Sequence, residues 1–439
     1  MNNTIKLAVA AALLAGASSA NAGIMIPAGD WTLDIGGVVN TYYTHTNHSG
    51  NQHGAGYGGA LFTTANGLGA GADADRSVSN ITTGLLPNYL SVSGKTRQND
   101  LDVGFTISIN PGSSTRQAGI QGSNQENRQA FLTLGDKSWG SIKLGKDLGI
   151  FASDAILNDM TLLGVGSGAG GLAGNTTTTG RIGTGFMYAD WKSQVAYSSP
   201  NWNGFSFTAG VTQAWNAIAV GSVGGSATST ERGGSQPAFE GKASYEWAGD
   251  VGGKVWVSGL SQKVEGLGAT AGSPAGFVLN TTTGLVDPVA AVAASGGNDD
   301  RATAFDIGTT VNVAGFGLTG YYYNGDGIGQ TVNLNHGFDA NGKSRDSDGW
   351  YVQGTYTIPG AGTKLGVSYG QSTLDGNSGE TLDELEDSMW TVGAYHPITK
   401  HLNLVAEYSD VKSDFQRKGA LRDLEAKAKT ISLGAILFF

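Results

Sequence analysis

The chain has 439 residues, including 71 glycines and no cysteine, with 26 basic and 36 acidic side chains. The lack of cysteine excludes a disulfide framework, thiol catalysis and cysteine-ligated metal sites. The acidic balance argues against a nucleic-acid partner, and 39 Trp, Tyr and Phe residues argue against a disordered chain.

The N-terminus predicts export from the cytoplasm. Lys6 precedes a short apolar run, and Ala20-Asn21-Ala22 is a small-x-small cleavage pattern. These features predict a secretory signal peptide over residues 1–22, because the apolar run is too short to span a membrane. The mature domain is then 23–439, with 25 basic and 36 acidic residues and a net charge of −11.

Alternating apolar and polar residues predict strands throughout the mature chain, because successive side chains of an extended chain point to opposite faces. The first five predicted strands cover residues 31–43, 88–95, 100–110, 127–135 and 140–145. The segment from His45 to about Leu86 has no periodicity and many glycines, so it is predicted to be a loop.

Residues 146–191 are long and mixed, with an apolar piece and then a run of glycine and threonine. Strands joined in pairs by short turns follow. They cover residues 192–199, 204–214, 238–247, 253–264, 301–313, 316–324, 349–358, 363–373, 388–396, 401–411 and 428–439. The last strand places Ile431, Leu433 and Leu437 on one face and ends the chain on Phe439.

The pattern predicts an all-β fold, a transmembrane antiparallel barrel of about 16 strands. Short turns alternate with long loops, which is typical of such barrels, and strands of about ten residues match a tilted bilayer span. An open sheet edge is not tolerated in hydrocarbon, so the last strand is expected to pair with Trp31–Tyr43. The alternative, a secreted β-solenoid, requires a fixed short repeat, and the sequence contains none.

Three stretches resemble the general diffusion porins of Gram-negative bacteria. They are residues 128–146, which form a predicted strand pair, residues 195–207, which form a hairpin, and the terminal Phe439. The resemblance implies an outer-membrane homotrimer whose third loop, about 146–191, folds into the lumen. It also implies passive diffusion of ions and small hydrophilic solutes, filtered by size and charge at that loop.

The resemblance also implies a constriction between loop acids and wall bases. The acidic residues would be Asp147, Asp154 and Asp159, and the basic residues Arg128 and Lys146, with Lys143, Arg97 and Arg181 as weaker candidates. Tyr89 and Ser198 stand where the family commonly has basic residues. Because rings of like charge bias selectivity, a cation-preferring pore is predicted.

One conflict concerns the strand that follows Arg128. Arg128, Leu132 and Leu134 share parity, so an inward Arg128 would carry two leucines into the lumen. Either the leucines pack under the folded loop or the assignment of faces is wrong.

Two other functional classes stay open. Tyr321 and Tyr323 are predicted to face inward, which suits a substrate-specific channel, and the long outer loops suit a surface adhesion or receptor barrel. An enzyme is not expected, because no Gly-x-Ser-x-Gly motif occurs and only His396 and His401 lie near strands.

No cofactor or metal is predicted, since the spacing of His45, His48 and His53 fits no standard site. Outer-membrane lipid, including lipopolysaccharide, is an expected partner. The family resemblance adds the outer-membrane assembly machinery, which would read Phe439 as a signal.

Overall fold

A computed structural model describes residues 23–50, 76–114, 125–171, 177–217, 234–268, 276–279, 286–291, 297–419, 421 and 423–439. The predicted signal peptide and His53 lie outside these residues. Within the described residues, no helix has the length and apolar character needed to cross a membrane.

The described chain is almost entirely strand. The first strands are β1 (Ile24–Ala28), β2 (Trp31–Gly50), β3 (Arg76–Thr82), β4 (Tyr89–Gln98), β5 (Leu101–Pro111), β6 (Gln125–Glu126), β7 (Ala130–Asp136) and β8 (Gly140–Leu148). A helix α1 (Ser153–Asn158), a 3₁₀ helix (Met160–Leu163), β9 (Ser167–Gly171) and β10 (Thr178–Gly180) follow.

The second half continues with hairpins. Its strands are β11 (Trp191–Ser198), β12 (Phe205–Thr212), β13 (Ala238–Trp247), β14 (Val251–Leu267), β15 (Gly276–Leu279), β16 (Val286–Val289), β17 (Asn298–Val313), β18 (Phe316–Asp326), β19 (Asp346–Thr357), β20 (Lys364–Asp375), β21 (Leu382–Pro397), β22 (Leu402–Arg417) and β23 (Leu424–Phe438).

The strands close into an antiparallel barrel of 16 strands, as predicted. Two of the 16 positions are each built from two segments, β3 with β4 and β6 with β7. The ring closes where β23 pairs with β2, from Val38 opposite Phe438 to Gly50 opposite Ala426. The pairs β9–β10 and β15–β16 form two small separate sheets.

The short strand β1 completes the closing seam. It pairs with the beginning of β2, from Ile24 opposite Ile35 to Ala28 opposite Trp31. Since β23 begins its pairing at Val38, β1 continues the line of β23 along the edge of β2. Strand β1 and Phe439 therefore meet at one rim, together with the short turns.

The predicted loop from His45 to about Leu86 is wrong for residues 45–50 and 76–82, whereas residues 83–86 form no strand. Strand β2 continues to Gly50, so His45 and His48 are strand residues. Residues 76–82 form β3, which pairs with the upper part of β2. Polar side chains interrupt the apolar alternation here, so the two strands leave only a weak signal in the sequence.

The two strand faces differ in burial, as the alternation predicts. On β23, Ile431 and Leu433 are 50% and 54% exposed, while Thr430 and Ser432 are buried. The apolar face therefore points to lipid and the polar face to the lumen. On β7, Leu132 is also exposed on the outer face.

The conflict over Arg128 is resolved by the irregular segment 127–129. Strand β7 begins only at Ala130, so strand parity does not extend back to Arg128. The Ser108 amide donates to the Gln129 carbonyl at 3.0 Å at this point. Arg128 is thus buried while Leu132 faces outward.

Candidate functional site: a loop folded across the lumen

Between β8 and β11, the described residues 149–171 and 177–190 fold inside the barrel, and we call them the lumen loop. It contains α1, the 3₁₀ helix, β9 and β10. Its apolar side chains, including Phe151, Ala155 and Phe186, are fully buried with residues of the barrel wall. Its course across the lumen is set by contacts with several strands.

A wall glutamate holds the beginning of the lumen loop. The Glu240 carboxylate on β13 accepts hydrogen bonds from the backbone amides of Ile150 (2.8 Å) and Phe151 (2.9 Å). It also forms a buried ion pair with Lys192 at 2.7 Å. A charged acceptor strengthens both amide bonds, so the loop is fixed as it enters the lumen.

The acidic residue of α1 is neutralised by two lysines from the wall. Asp154 lies 3.1 Å from the Lys242 ammonium and 2.6 Å from that of Lys254. Burial raises the pKa of Asp154, but the two ammonium groups oppose this and hold the pKa below its usual 3.8. The carboxylate is therefore ionised and already paired.

A buried ion pair within the lumen loop stabilises its middle part. Asp159 caps the 3₁₀ helix by accepting from the Thr161 amide at 3.1 Å, and it lies 3.8 Å from the Arg181 guanidinium. Burial raises the pKa of Asp159 although Arg181 opposes the shift, and burial likewise lowers the pKa of Arg181. Arg181 also donates to the carbonyl of Met389 on β21 at 3.0 Å.

A second wall glutamate holds the far side of the lumen loop. Glu407 on β22 accepts from the amides of Val165 (2.7 Å) and Gly166 (2.9 Å) and from the Tyr395 hydroxyl (2.6 Å). The Tyr42 hydroxyl on β2 donates to the Leu163 carbonyl at 2.7 Å. The lumen loop therefore spans from β13 to the closing seam of the barrel.

A second loop, residues 327–345 between β18 and β19, packs on the lumen loop, and we call it the mouth loop. Its Thr331 carbonyl accepts from the Tyr188 amide at 2.8 Å, and its Asn333 side chain donates to the Tyr188 carbonyl at 3.1 Å. Phe338 is fully buried within it. No pattern in the sequence predicts that this loop folds inward.

The inward-facing tyrosines support these loops and do not line an open passage. Tyr321 and Tyr323 are buried, and the Tyr321 ring stacks with Trp256 of β14 and contacts the rings of Tyr323 and Tyr351 at a tilt. The Tyr351 hydroxyl donates to the Ala155 carbonyl of α1 at 2.9 Å. The tyrosines therefore pack beneath the lumen loop and support it.

A cavity of about 470 Å³ lies between the lumen loop and the wall from β2 to β13. Its lining is mostly polar on the wall side. The charged lining residues are Asp34, Lys95, Lys143, Asp147 and Lys242, and the aromatic lining residues are Tyr89, Phe105, Phe131 and Trp191. Among the described residues, no group of three His, Asp or Glu side chains is arranged to hold a metal ion.

Comparison with known families shows to which family the chain belongs. A family model described as Gram-negative porin matches residues 8–416. The chain belongs to the Gram-negative porin family. This porin therefore lies in the outer membrane and forms a channel for diffusion, and its family consists of channels rather than enzymes.

Solved structures agree with the fold of this porin. The outer membrane channel DcaP of Acinetobacter baumannii is 16% identical, with 95% of this chain and 100% of that chain covered and a TM-score of 0.63. An anion-selective porin from Comamonas acidovorans is 13% identical, with 93% and 100% covered and a TM-score of 0.55. In-vitro folded OmpT of Vibrio cholerae, in trimer form, is 14% identical, with 93% and 99% covered and a TM-score of 0.51. No curated protein matches the chain.

The predicted acidic residues of the porin occupy three different surroundings. Asp154 and Asp159 lie in the lumen loop. Asp147 instead belongs to strand β8, where it pairs with Lys143 and accepts a hydrogen bond from the Gln129 side-chain amide at 3.0 Å. Asp147 was predicted to be a loop residue, but it lies on the barrel wall because β8 extends to Leu148.

Two of the predicted basic wall residues lie away from the lumen loop. Lys146 shares parity with the outward Ile142 and Leu144 of β8, and its ammonium donates to the Asn127 carbonyl at 2.9 Å. Arg97 lies at the turn end of β4, where it pairs with Asp102 at 2.9 Å. Both placements contradict a position opposite the loop acids.

Arg128 and Lys143 are closer to the predicted region. Arg128 pairs with Glu126 at 2.7 Å and lies over the Trp191 ring, where the lumen loop returns to the wall. Lys143 lines the cavity and lies over the Phe131 ring at 4.8 Å.

The basic residues that contact Asp154 were missed by the sequence analysis. Lys242 and Lys254 lie on β13 and β14, and Glu240 and Glu407 were also not singled out. Strand alternation would have placed Lys242, Glu240 and Glu407 on the lumen face. It gives no information about which loop they meet.

Proposed function

We propose that this porin filters solutes by size and charge where the lumen loop narrows the channel. The observation that supports this is the pair of wall glutamates, Glu240 and Glu407, which hold the loop at two distant strands. Because the loop is fixed at both ends, the passage that remains for solutes runs along the wall from β2 to β13, where the cavity lies.

The channel is proposed to prefer cations, and only weakly. The expected mature charge of −11 attracts cations to the molecule as a whole. At the constriction, however, the Asp154 carboxylate contacts Lys242 and Lys254, and Asp147 contacts Lys143. Paired charges cancel at a distance, so the field expected from opposed rings of charge is reduced.

A second candidate is a preference for anions, and one observation favours it. The side chains of Lys143 and Lys242 are 31% and 28% exposed, whereas those of Asp147 and Asp154 are 9% and 5% exposed. The ammonium groups therefore reach the water of the channel more than the carboxylates do. Anions would then meet positive charge at the narrowest point.

Planar bilayer recordings of the purified porin test the proposal. We expect large ohmic conductance steps. Small polyethylene glycols should enter the channel and lower this conductance, whereas larger polymers should not, because the lumen loop excludes them. Under a salt gradient, a small reversal potential of cation sign supports the first candidate, and an anion sign supports the second. Absence of conductance would contradict the channel filter altogether.

The assembly of this porin is proposed to be a homotrimer. The observation behind it is the fold shared with in-vitro folded OmpT of Vibrio cholerae, which is described as a trimer form. Native mass spectrometry in detergent, with a threefold mass expected, tests it. Conductance steps in groups of three would be independent support.

The last residue is proposed to act in assembly. Phe439 exchanges two backbone hydrogen bonds with Gly37 of β2, at 2.8 and 3.1 Å. Its ring lies over Gly37, where any side chain would meet the ring. Outer-membrane assembly machinery is the proposed reader of this end, and lipopolysaccharide is the proposed lipid partner of the outer strand ends.

A further inference from the structure

The carboxylate of Asp34, on β2, lies at the closing seam beside the first residue of the expected mature chain. Asp34 is 8% exposed and lines the cavity, and among the described residues nothing donates a hydrogen bond to its Oδ1. Lys95 of β4 acts on this carboxylate electrostatically. A carboxylate with so little exposure is stabilised by a cation in direct contact.

Gly23 lies directly against this carboxylate. A methyl group added at Gly23 would overlap Asp34 Oδ1 and lie 2.8 Å from Asp34 Cγ. A methyl group added at Gly36 would lie 3.6 Å from the Gly23 Cα and 3.1 Å from the Phe439 carbonyl oxygen. Gly23, Asp34 and Phe439 thus surround Gly36, and a side chain at position 23 would displace the Asp34 carboxylate.

We propose that Asp34 is the binding site for the amino terminus created by signal-peptide removal. Water hydrolyses the Ala22–Gly23 peptide bond in that reaction, leaving a carboxylate on Ala22 and an ammonium group on Gly23. Before cleavage the Gly23 nitrogen is a neutral amide. After cleavage it carries a positive charge beside the buried Oδ1, so the ion pair forms only in the processed chain.

The ion pair would close the junction of three strands. β1 holds Gly23 next to β2, and β23 ends beside the same part of β2. The charged groups that face this site are Lys95 of β4, which acts electrostatically on Asp34, and the terminal carboxylate of Phe439. Lys95 is a competitor for Asp34, and the Phe439 carboxylate is a competitor for the ammonium group.

Labelling of the amino terminus tests the proposal on porin isolated from outer membranes. Mass spectrometry first establishes whether the chain begins at Gly23, and any other start overturns the proposal at the cleavage step. The rate of acylation of the α-amine is then measured against pH. An unpaired α-amine has a pKa of about 7.7 to 8.0. Pairing with Asp34 is expected to raise the pKa of the α-amine of Gly23, making its ammonium form an acid about ten times weaker. The reactive neutral amine is then rarer, so labelling at pH 7 is expected to be about tenfold slower.

Two variants distinguish the possible partners of the Gly23 ammonium group. Asp34→Asn is expected to restore the labelling rate of an unpaired amine, because the amide keeps the shape and loses the charge. Asp30→Asn, in the exposed turn between β1 and β2, removes the same charge nearby and is expected to leave labelling slow. Slow labelling that persists in Asp34→Asn would assign the ammonium group to the Phe439 carboxylate and overturn the proposal. Fast labelling in the wild type would overturn it as well.

A refolded chain gives an independent measurement if Asp34→Asn assembles poorly. Protein refolded with a methionine before Gly23 carries its ammonium group one residue further from Asp34. The proposal expects this chain to unfold about tenfold more readily than one that begins at Gly23. An equal unfolding equilibrium for the two chains would contradict it.

Discussion

Removing the Glu407 carboxylate should release the far side of the lumen loop while the barrel stays closed. In Glu407→Ala the amides of Val165 and Gly166 lose an acceptor at 2.7 and 2.9 Å. A hydrogen bond to a charged group contributes about 1.5 kcal/mol or more, so the two bonds hold the loop by about 3 kcal/mol. A tenfold change corresponds to about 1.4 kcal/mol, so the undocked population should rise about a hundredfold.

The isosteric variant Glu407→Gln should have a smaller effect. Its amide oxygen still accepts from both backbone amides, but a neutral acceptor forms bonds about half as strong. The undocked population should therefore rise about tenfold. The Tyr42 hydroxyl still donates to the Leu163 carbonyl in both variants, so only part of the lumen loop is expected to move.

Hydrogen exchange read by mass spectrometry measures this directly. Peptides that contain residues 164–167 should lose protection in the order wild type, Gln and Ala, and single-channel current noise should rise in the same order. Asp410→Ala is the matched control, because Asp410 lies on the outer face of the same strand, β22. Unchanged protection of residues 164–167 in Glu407→Ala would refute the proposed anchoring.

Three further changes test other parts of the site. Asp154→Asn should shift the reversal potential toward anions, since two lysines lose their partner. In the wild type, titration of Asp154 should leave selectivity constant from pH 7 to pH 5, because its lowered pKa keeps this carboxylate ionised until the pH falls through that pKa. Lys143→Gln should shift the reversal potential toward cations, whereas Lys146→Gln on the outer face should leave it unchanged. Gly37→Val should clash with the Tyr89 carbonyl and the Phe439 ring and reduce the heat-resistant barrel seen on gels.

The outcomes that contradict these predictions are distinct. An equal shift for the two lysine variants would mean that the face assignment of β8 is wrong. A pH-dependent reversal potential between pH 7 and 5 would mean that another acid sets the selectivity. For Gly37→Val, the matched control is Gly320→Ala on β18, where an added methyl group meets no atom within 4 Å.

Strand pattern alone was enough to predict the number and order of the barrel strands. Alternation is a local property, and on β23 the exposed Leu433 and the buried Ser432 follow it directly. Where polar residues occupy both faces, as in residues 76–82, the pattern fails although the strand forms. Pairing with β2 provides the stability there, and a local reading does not detect it.

The site was harder to predict because its contacts join distant parts of the chain. Glu407 meets Val165 across 242 residues of sequence, and no local pattern encodes that meeting. Lys146 is a different case. Its parity with Leu144 already placed it on the outer face, and the family resemblance led to the wrong side of the strand. Strand parity was therefore the better guide for Lys146, whereas the resemblance was the better guide for Arg128, which precedes the regular strand and is buried.

The way the lumen loop is held limits how charge can act in this channel. Glu240 accepts hydrogen bonds from two backbone amides and forms an ion pair with Lys192, and Asp159 forms a fully buried ion pair with Arg181. Charges committed to such contacts are screened from the solute by their partners and by burial. Only side chains that keep contact with water, such as Lys143 and Lys242, remain to act on passing ions. The selectivity of the channel should therefore respond strongly to those lysines, while Glu240 and Glu407 should mainly determine its width.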